Sequence, residues 1–85
     1  MEDNCVIVGP KSVGIYLKVI RSKFSQTKEL VLKTRGKLIS TACFIACVLE
    51  EEGIRIKDTK IINSKYKDKE GKEKLVPEVE IKLMK

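Results

Sequence analysis

Residues 29–53 read ELVLKTRGKLISTACFIACVLEEEG, and the fold turns on how this stretch divides. ELVLKT is rich in aliphatic residues and reads as a strand. From LISTA onward the apolar residues persist for the length of a helix, and Gly53 after Glu50, Glu51 and Glu52 is suited to end it as a C-cap. Between strand and helix lie Arg35, Gly36 and Lys37, two cations flanking a glycine with no carboxylate beside them. Ile39, Ala42, Cys43, Ala46, Val48 and Leu49 spread over more than one side of the helix, more than a small sheet can cover. Self-association is the expected outlet, with Phe44, Ile45 and Val48 as the dimer contact. Cys43 and Cys47 share a helix face and are expected as small buried hydrophobes. With no His and one further Cys, no metal site is expected.

Upstream, NCVIVG is a short β-branched run closed by Gly9 and Pro10, a buried strand with a breaker behind it. Ser12 stands as the N-cap of an amphipathic helix over residues 13–24, where Val13, Leu17, Ile20 and Phe24 recur at helical spacing with Tyr16 alongside. Strand, helix, strand makes a right-handed crossover onto parallel strands. Downstream, IRIKDTKIINSKY and KLVPEVEIKLMK are long strands joined by a charged link containing Gly71, hence a hairpin. Val79, Ile81 and Leu83 face one way and Glu80, Lys82 and Met84 the other. The first of these strands exceeds the height of a small domain, so part of the hairpin projects as an arm, and Pro77 suits an edge or bulge there. The expected architecture is a single α+β domain over residues 1–85. Its order is βαβαββ, with a mixed four-stranded sheet, two helices on one face and a long projecting hairpin.

The chain has 85 residues, a net charge of +6 and 35% charged residues. A basic balance suits a polyanionic partner. Aromatic residues are limited to Tyr16, Phe24, Phe44 and Tyr66, too few for a base-stacking platform. Glu2 and Asp3 stand where a secretion signal would be cationic, no apolar run reaches spanning length, and the cysteine count is odd. A reducing, cytoplasmic location is expected, without membrane insertion. No imidazole base is available, the carboxylates cluster where nothing raises their pKa, and GPKSVG does not meet the phosphate-loop pattern. Neither enzyme activity, a cofactor nor a small-molecule substrate is expected.

Anion binding is the chemistry the residues favour. In a βαβα layout the loops after the first two strands emerge on one edge, each opening a helix N-terminus with free N–H groups. The first loop supplies Lys11 and Ser12, the second Arg35, Gly36 and Lys37. Gly36 would let backbone approach a phosphate closely. Cations at a helix start oppose the helix dipole, so an external anion explains them better than stability does. The arm adds Lys60, Lys65, Lys67, Lys69, Lys72 and Lys74 against Asp68, Glu70 and Glu73, and such ribbons contact nucleic-acid backbone.

VIVGPKSVGIY followed by LVLKTRGKLISTA resembles the Alba family of small basic nucleic-acid-binding chromatin proteins. Members show a strand ending in Gly-Lys-Lys, a Tyr in the first helix and an Arg-Gly-Arg/Lys segment leading into Ile-Ser. The closing VEIKL is similar to the family's final strand. The resemblance implies the fold of the C-terminal domain of translation initiation factor three. It also implies a homodimer binding double-stranded DNA or RNA with little sequence preference. Carried over by position, Lys11, Arg35, Gly36 and Lys37 would be body contacts and the arm lysines groove contacts. Pro10 stands where members often carry a first lysine, and Glu50, Glu51 and Glu52 where many carry basic residues. A chromosome-associated role follows from the resemblance. The alternative is a ribonucleoprotein subunit, of the kind found in RNase P, that heterodimerises through its apolar second helix.

Overall fold

The structure is a computed structural model and describes residues 4–85. Its elements follow the order expected: β1 (Cys5–Ile7), α1 (Val13–Phe24), β2 (Glu29–Arg35), a 3-10 turn (Gly36–Leu38), α2 (Ile39–Glu51), β3 (Arg55–Lys67) and β4 (Glu73–Met84). The four strands form one sheet in the order β1-β2-β4-β3. β1 runs parallel to β2, with Val6 beside Leu32. β4 lies antiparallel to both β2 and β3. The mixed sheet and the helix–strand order agree with the sequence reading.

The core lies between one sheet face and both helices. Period-two alternation puts Leu30, Leu32 and Thr34 of β2 and Val79, Ile81 and Leu83 of β4 on that face, all buried. α1 covers them with Tyr16, Ile20 and Phe24, one helical repeat apart. α2 adds Ala42, Ile45, Ala46 and Leu49. Burying side chains the size of Leu30 or Ile20 contributes roughly 1.5–3 kcal/mol each. α2 ends in a Schellman motif: Gly53 N–H donates to the Glu50 carbonyl at 3.0 Å and Ile54 N–H to the Leu49 carbonyl at 3.1 Å. Gly53 takes φ +97, as the expected C-cap requires.

Two expectations for α2 are corrected. Ile45 is fully buried within the protomer, because it shares the inward stripe with Ala42, Ala46 and Leu49, and so presents no surface to a second copy. Cys43 and Cys47 are exposed, since they fall on the opposite side of the same helix. Phe44 is 57% exposed and Val48 partly so.

β4 pairs with β2 only from Glu78 to Met84, whereas its pairing with β3 continues to Glu73 and Lys67. Residues 63–67 and 73–77 therefore form a two-stranded arm that begins at Pro77, and the molecule is 45 Å long against 26 and 23 Å across. β4 is antiparallel to β2, so the arm leaves the sheet past the C-terminal end of β2.

Candidate nucleic-acid interface

The loops after β1 and β2 lie at the same sheet edge. Parallel pairing sets Ile7 beside Lys33, and Val8 N–H donates to the Lys33 carbonyl at 2.8 Å just where the strands end. The Thr34 hydroxyl donates to the Val8 carbonyl at 3.0 Å inside the core. In the first loop Gly9 N–H donates to Tyr16 Oη at 2.7 Å, tying the loop to buried Tyr16. A Cβ at Gly9 would sit 3.2 Å from that oxygen. Lys11 and Ser12 follow, both exposed. Ser12 has the extended backbone of an N-cap, yet its hydroxyl makes no capping bond.

The second loop is a 3-10 turn opened by Gly36 at φ +65. A Cβ there would meet Val76 Cγ1 at 3.7 Å, an ordinary contact. The glycine is thus required by its left-handed backbone more than by the need for open space. Val76 belongs to the arm, so the second loop rests against the arm's base. Arg35 and Lys37 are exposed on either side.

Neither helix start is neutralised from within. α1 and α2 both lack a side-chain cap bond and an acidic residue in the first turn. Ser12 stands at the α1 N-cap without making the capping bond and Leu38 at the α2 N-cap has no side-chain acceptor, so the stabilisation a cap supplies, about 0.5–2 kcal/mol, is missing at both. The strand order sets both helix starts at the edge that carries Lys11, Arg35 and Lys37, although the 3-10 turn already holds the Ile39 N–H on the Gly36 carbonyl at the α2 start.

Ion pairing occupies some of the other cations, although Lys18, Lys28, Arg55, Lys60 and Lys85 also lack a carboxylate partner among the described residues. Lys33 pairs with Glu80 at 3.8 Å, Lys57 with Glu29 at 3.3 Å and Lys82 with Glu29 at 3.8 Å, so the helix-free sheet face is charge-balanced. Arg21 makes a bidentate pair with Glu52 across the two helix ends. The hydrogen bond from Arg21, chiefly, lowers the Glu52 carboxyl below its ordinary value. Among the described residues, Lys11, Arg35, Lys37, Lys65, Lys67, Lys69 and Lys72 have no carboxylate partner.

The arm does not bring all its lysines together. Lys65 and Lys67 pair with Leu75 and Glu73 on the helix-side face, while Lys74 lies opposite Tyr66 on the other. Lys74 is also held 3.8 Å from Asp68. Lys69 and Lys72 belong to the tip, whose turn is organised by Asp68: its Oδ1 accepts the Glu70 and Lys72 N–H groups, both at 2.9 Å. Gly71 at φ +80 completes that turn. Tyr16 and Asp68 were legible as helix and hairpin residues, but their bonding roles were not. Thr34 had a clear signal, because alternation from Leu30 and Leu32 sends a polar side chain into the core.

Among the described residues no cluster of His, Cys, Asp or Glu could hold a metal ion, and no helix is long and apolar enough to cross a membrane.

Fold and edge together define a class: a small basic α+β domain whose two uncapped helix starts and hairpin arm share one end of a mixed sheet. The chain belongs to the Alba family. It is 31% identical to the DNA/RNA-binding protein Alba of Pyrobaculum islandicum over 95% of this chain and 94% of that one. The protein of that name from Pyrobaculum neutrophilum matches to the same extent. Alba from Thermoplasma volcanium has the same fold, with a TM-score of 0.87 at 22% identity over 96% of this chain and all of that one. ALBA1 from Trypanosoma brucei reaches 0.80 at 18% identity, over the whole of this chain and 71% of that one. No protein-family model matches the chain.

Proposed function

We propose that this protein binds the phosphate backbone of double-stranded DNA or RNA, without sequence preference, as a homodimer. One observation carries the reading: Lys11 and Lys37, exposed and in no ion pair among the described residues, follow the two parallel strands at the edge where both helices start and from which the arm leaves, with Arg35 at the end of β2 beside them. Anions are stabilised at such helix starts by free N–H groups and the dipole, and phosphate adds charge that lysine and arginine meet. The relatives' name, DNA/RNA-binding protein, points the same way. Lys65, Lys67, Lys69 and Lys72 extend the contact along the arm, while Lys74 mainly steadies the tip.

Binding, rather than a chemical step, is the activity assigned, by a single domain acting on the chromosome or on RNA in the cytoplasm. The dimer contact is Phe44 with Val48, joined by Ile61 of β3, which is 79% exposed on the helix side of the sheet. An aromatic and an aliphatic group left in water on the same layer favour a second protein surface.

Equilibrium binding to labelled duplex DNA and duplex RNA at one ionic strength, with a sedimentation measurement of the pure chain, tests the reading. Substituting Lys11, Arg35 and Lys37 together by Ala is expected to weaken binding to either duplex by roughly a hundredfold. Undiminished affinity contradicts the proposed edge. A monomer at working concentrations would favour the heterodimeric ribonucleoprotein subunit instead.

A further inference from the structure

Leu75 stands on the arm, beyond the point where β4 leaves β2, and is 64% exposed. A single exposed leucine is ordinary on the surface of a domain body. Here the surroundings set it apart, because a two-stranded ribbon has no core for an aliphatic side chain to serve. Alternation places Leu75 on the helix-side face, with Lys65 directly across and Lys67 one step nearer the tip. Neither lysine has a carboxylate partner among the described residues, and Glu73 is the one acid on that face of the two rails. The other apolar side chains of the arm are differently placed. Val76 is half-buried against Gly36 at the root. Tyr66, 50% exposed, lies on the opposite face, across from the lysine that Asp68 holds.

We propose that Leu75 is a wedge that enters a base step of duplex DNA from the minor groove, partly unstacks it and kinks the duplex. The inference rests on the nucleic-acid reading above and deepens it, by naming deformable B-form DNA as the substrate. A base step offers stacked apolar rings with phosphates on either side. An aliphatic tip beside free lysines matches that order, and inserted apolar side chains bend DNA by roughly 20–90° in this way. Duplex RNA has a wide, shallow minor groove, which gives a ribbon no walls to set its lysines against while the leucine points inward. A second copy is a poorer occupant: the Asn63–Pro77 pair separates Leu75 from Ile61, and twofold pairing there would bring Lys65 and Lys67 against their own copies. Unstacking costs least where a step is already weak, so the wedge favours deformable sites without reading bases.

The test uses the full-length protein and three short duplexes, each carrying a fluorophore pair at its ends and 2-aminopurine at the centre. One is intact DNA, one is the same DNA with a single central mismatch, and one is RNA. Binding is expected to shorten the end-to-end distance and raise the 2-aminopurine signal in both DNAs and in neither respect to alter the RNA. The mismatched DNA should bind roughly tenfold more tightly than the intact one. Leu75→Ser should lose the bend, the fluorescence rise and the mismatch preference. It should keep the salt slope, since every phosphate-contacting lysine remains. Leu75→Met, flexible and apolar, should restore all three, and Tyr66→Ser should retain them. A Leu75→Ser chain that kinks DNA like the native one overturns the proposal, as does a loss reproduced by Tyr66→Ser. Conversion of Leu75→Ser to a monomer in sedimentation assigns the leucine to the dimer contact and overturns it too. If the native chain binds with a steep salt slope yet leaves the DNA straight and stacked, the wedge falls and the backbone reading stands. If it binds no duplex, both fall.

Discussion

Val8 and Thr34 are bonded across the ends of the two parallel strands: the threonine hydroxyl donates to the valine carbonyl at 3.0 Å, with Thr34 only 5% exposed. This is where β1 has ceased to be a strand and its chain is turning toward Lys11, while β2 continues to Arg35. Thr34→Val keeps the shape but leaves a buried carbonyl without its donor, so unfolding free energy should fall by ~1–3 kcal/mol in a denaturant titration. Thr34→Ser should recover most of that loss. If valine is as stable as threonine, the bond does not hold the two loops together.

Backbone contact predicts a steep salt dependence. A dimer neutralising roughly six to ten phosphates should give a slope of log affinity against log salt of about −5 to −9 on duplex DNA. Fluorescence anisotropy over a range of potassium chloride reads it directly. A slope shallower than about −2 would exclude the mechanism. Arg35→Ala and Lys37→Ala should weaken all sequences equally, because phosphate contacts carry no base information.

Gly36→Ala forces a side chain into a left-handed backbone at φ +65. The expected cost is ~1–2 kcal/mol, and affinity should drop as Arg35 and Lys37 are re-aimed. Gly14→Ala, in a helix with nothing near the added Cβ, should instead be neutral or stabilising. Thermal melts of the two variants side by side distinguish conformational strain from simple loss of glycine.

Glu52 gives a pH signature. Its carboxyl is lowered in the folded state chiefly by the hydrogen bond from Arg21, against an opposing effect of burial, with that residue's charge a lesser contribution. The stabilisation is therefore present above the ordinary carboxylate pKa and lost as pH falls through the folded value. Both side chains are exposed to solvent, so the effect should be small and salt-sensitive. The melting-temperature gap between the native chain and Glu52→Gln should close on acidification; a gap that widens below pH ~4 contradicts the pairing.

The exposed thiols report on the proposed dimer. Maleimide labelling of Cys43 and Cys47 should slow as protein concentration rises through the dimerisation range, and Phe44→Asp should restore the fast rate together with a monomer mass in sedimentation. Unchanged labelling at all concentrations would place the dimer contact away from α2.

What the residues disclosed depends on how one-sided each element is. β4 alternates cleanly, so Val79, Ile81 and Leu83 read as one face, which the structure buries, and α1 has an apolar stripe ending at Phe24. α2 is apolar nearly all round. No period then distinguishes inward from outward, and for that reason Ile45 and the two cysteines were misassigned. The edge that gathers Lys11, Arg35 and Lys37 follows from strand order alone. Pairing of Lys74 with Asp68, or of Arg21 with Glu52, depends on side-chain geometry across turns and helix ends that spacing does not encode. The 3-10 lead into α2 and the bulge between Ile56 and Asp58 are likewise local irregularities without a periodic trace.

β4 serves at once as an inner strand of the body and as one rail of the arm. The arm is consequently a cantilever built into the core, with its root between β2 and β3 and its free end at Gly71. A load applied at the tip is felt at Val79 and Ile81, so any force taken up by the arm reaches the centre of the fold as torque.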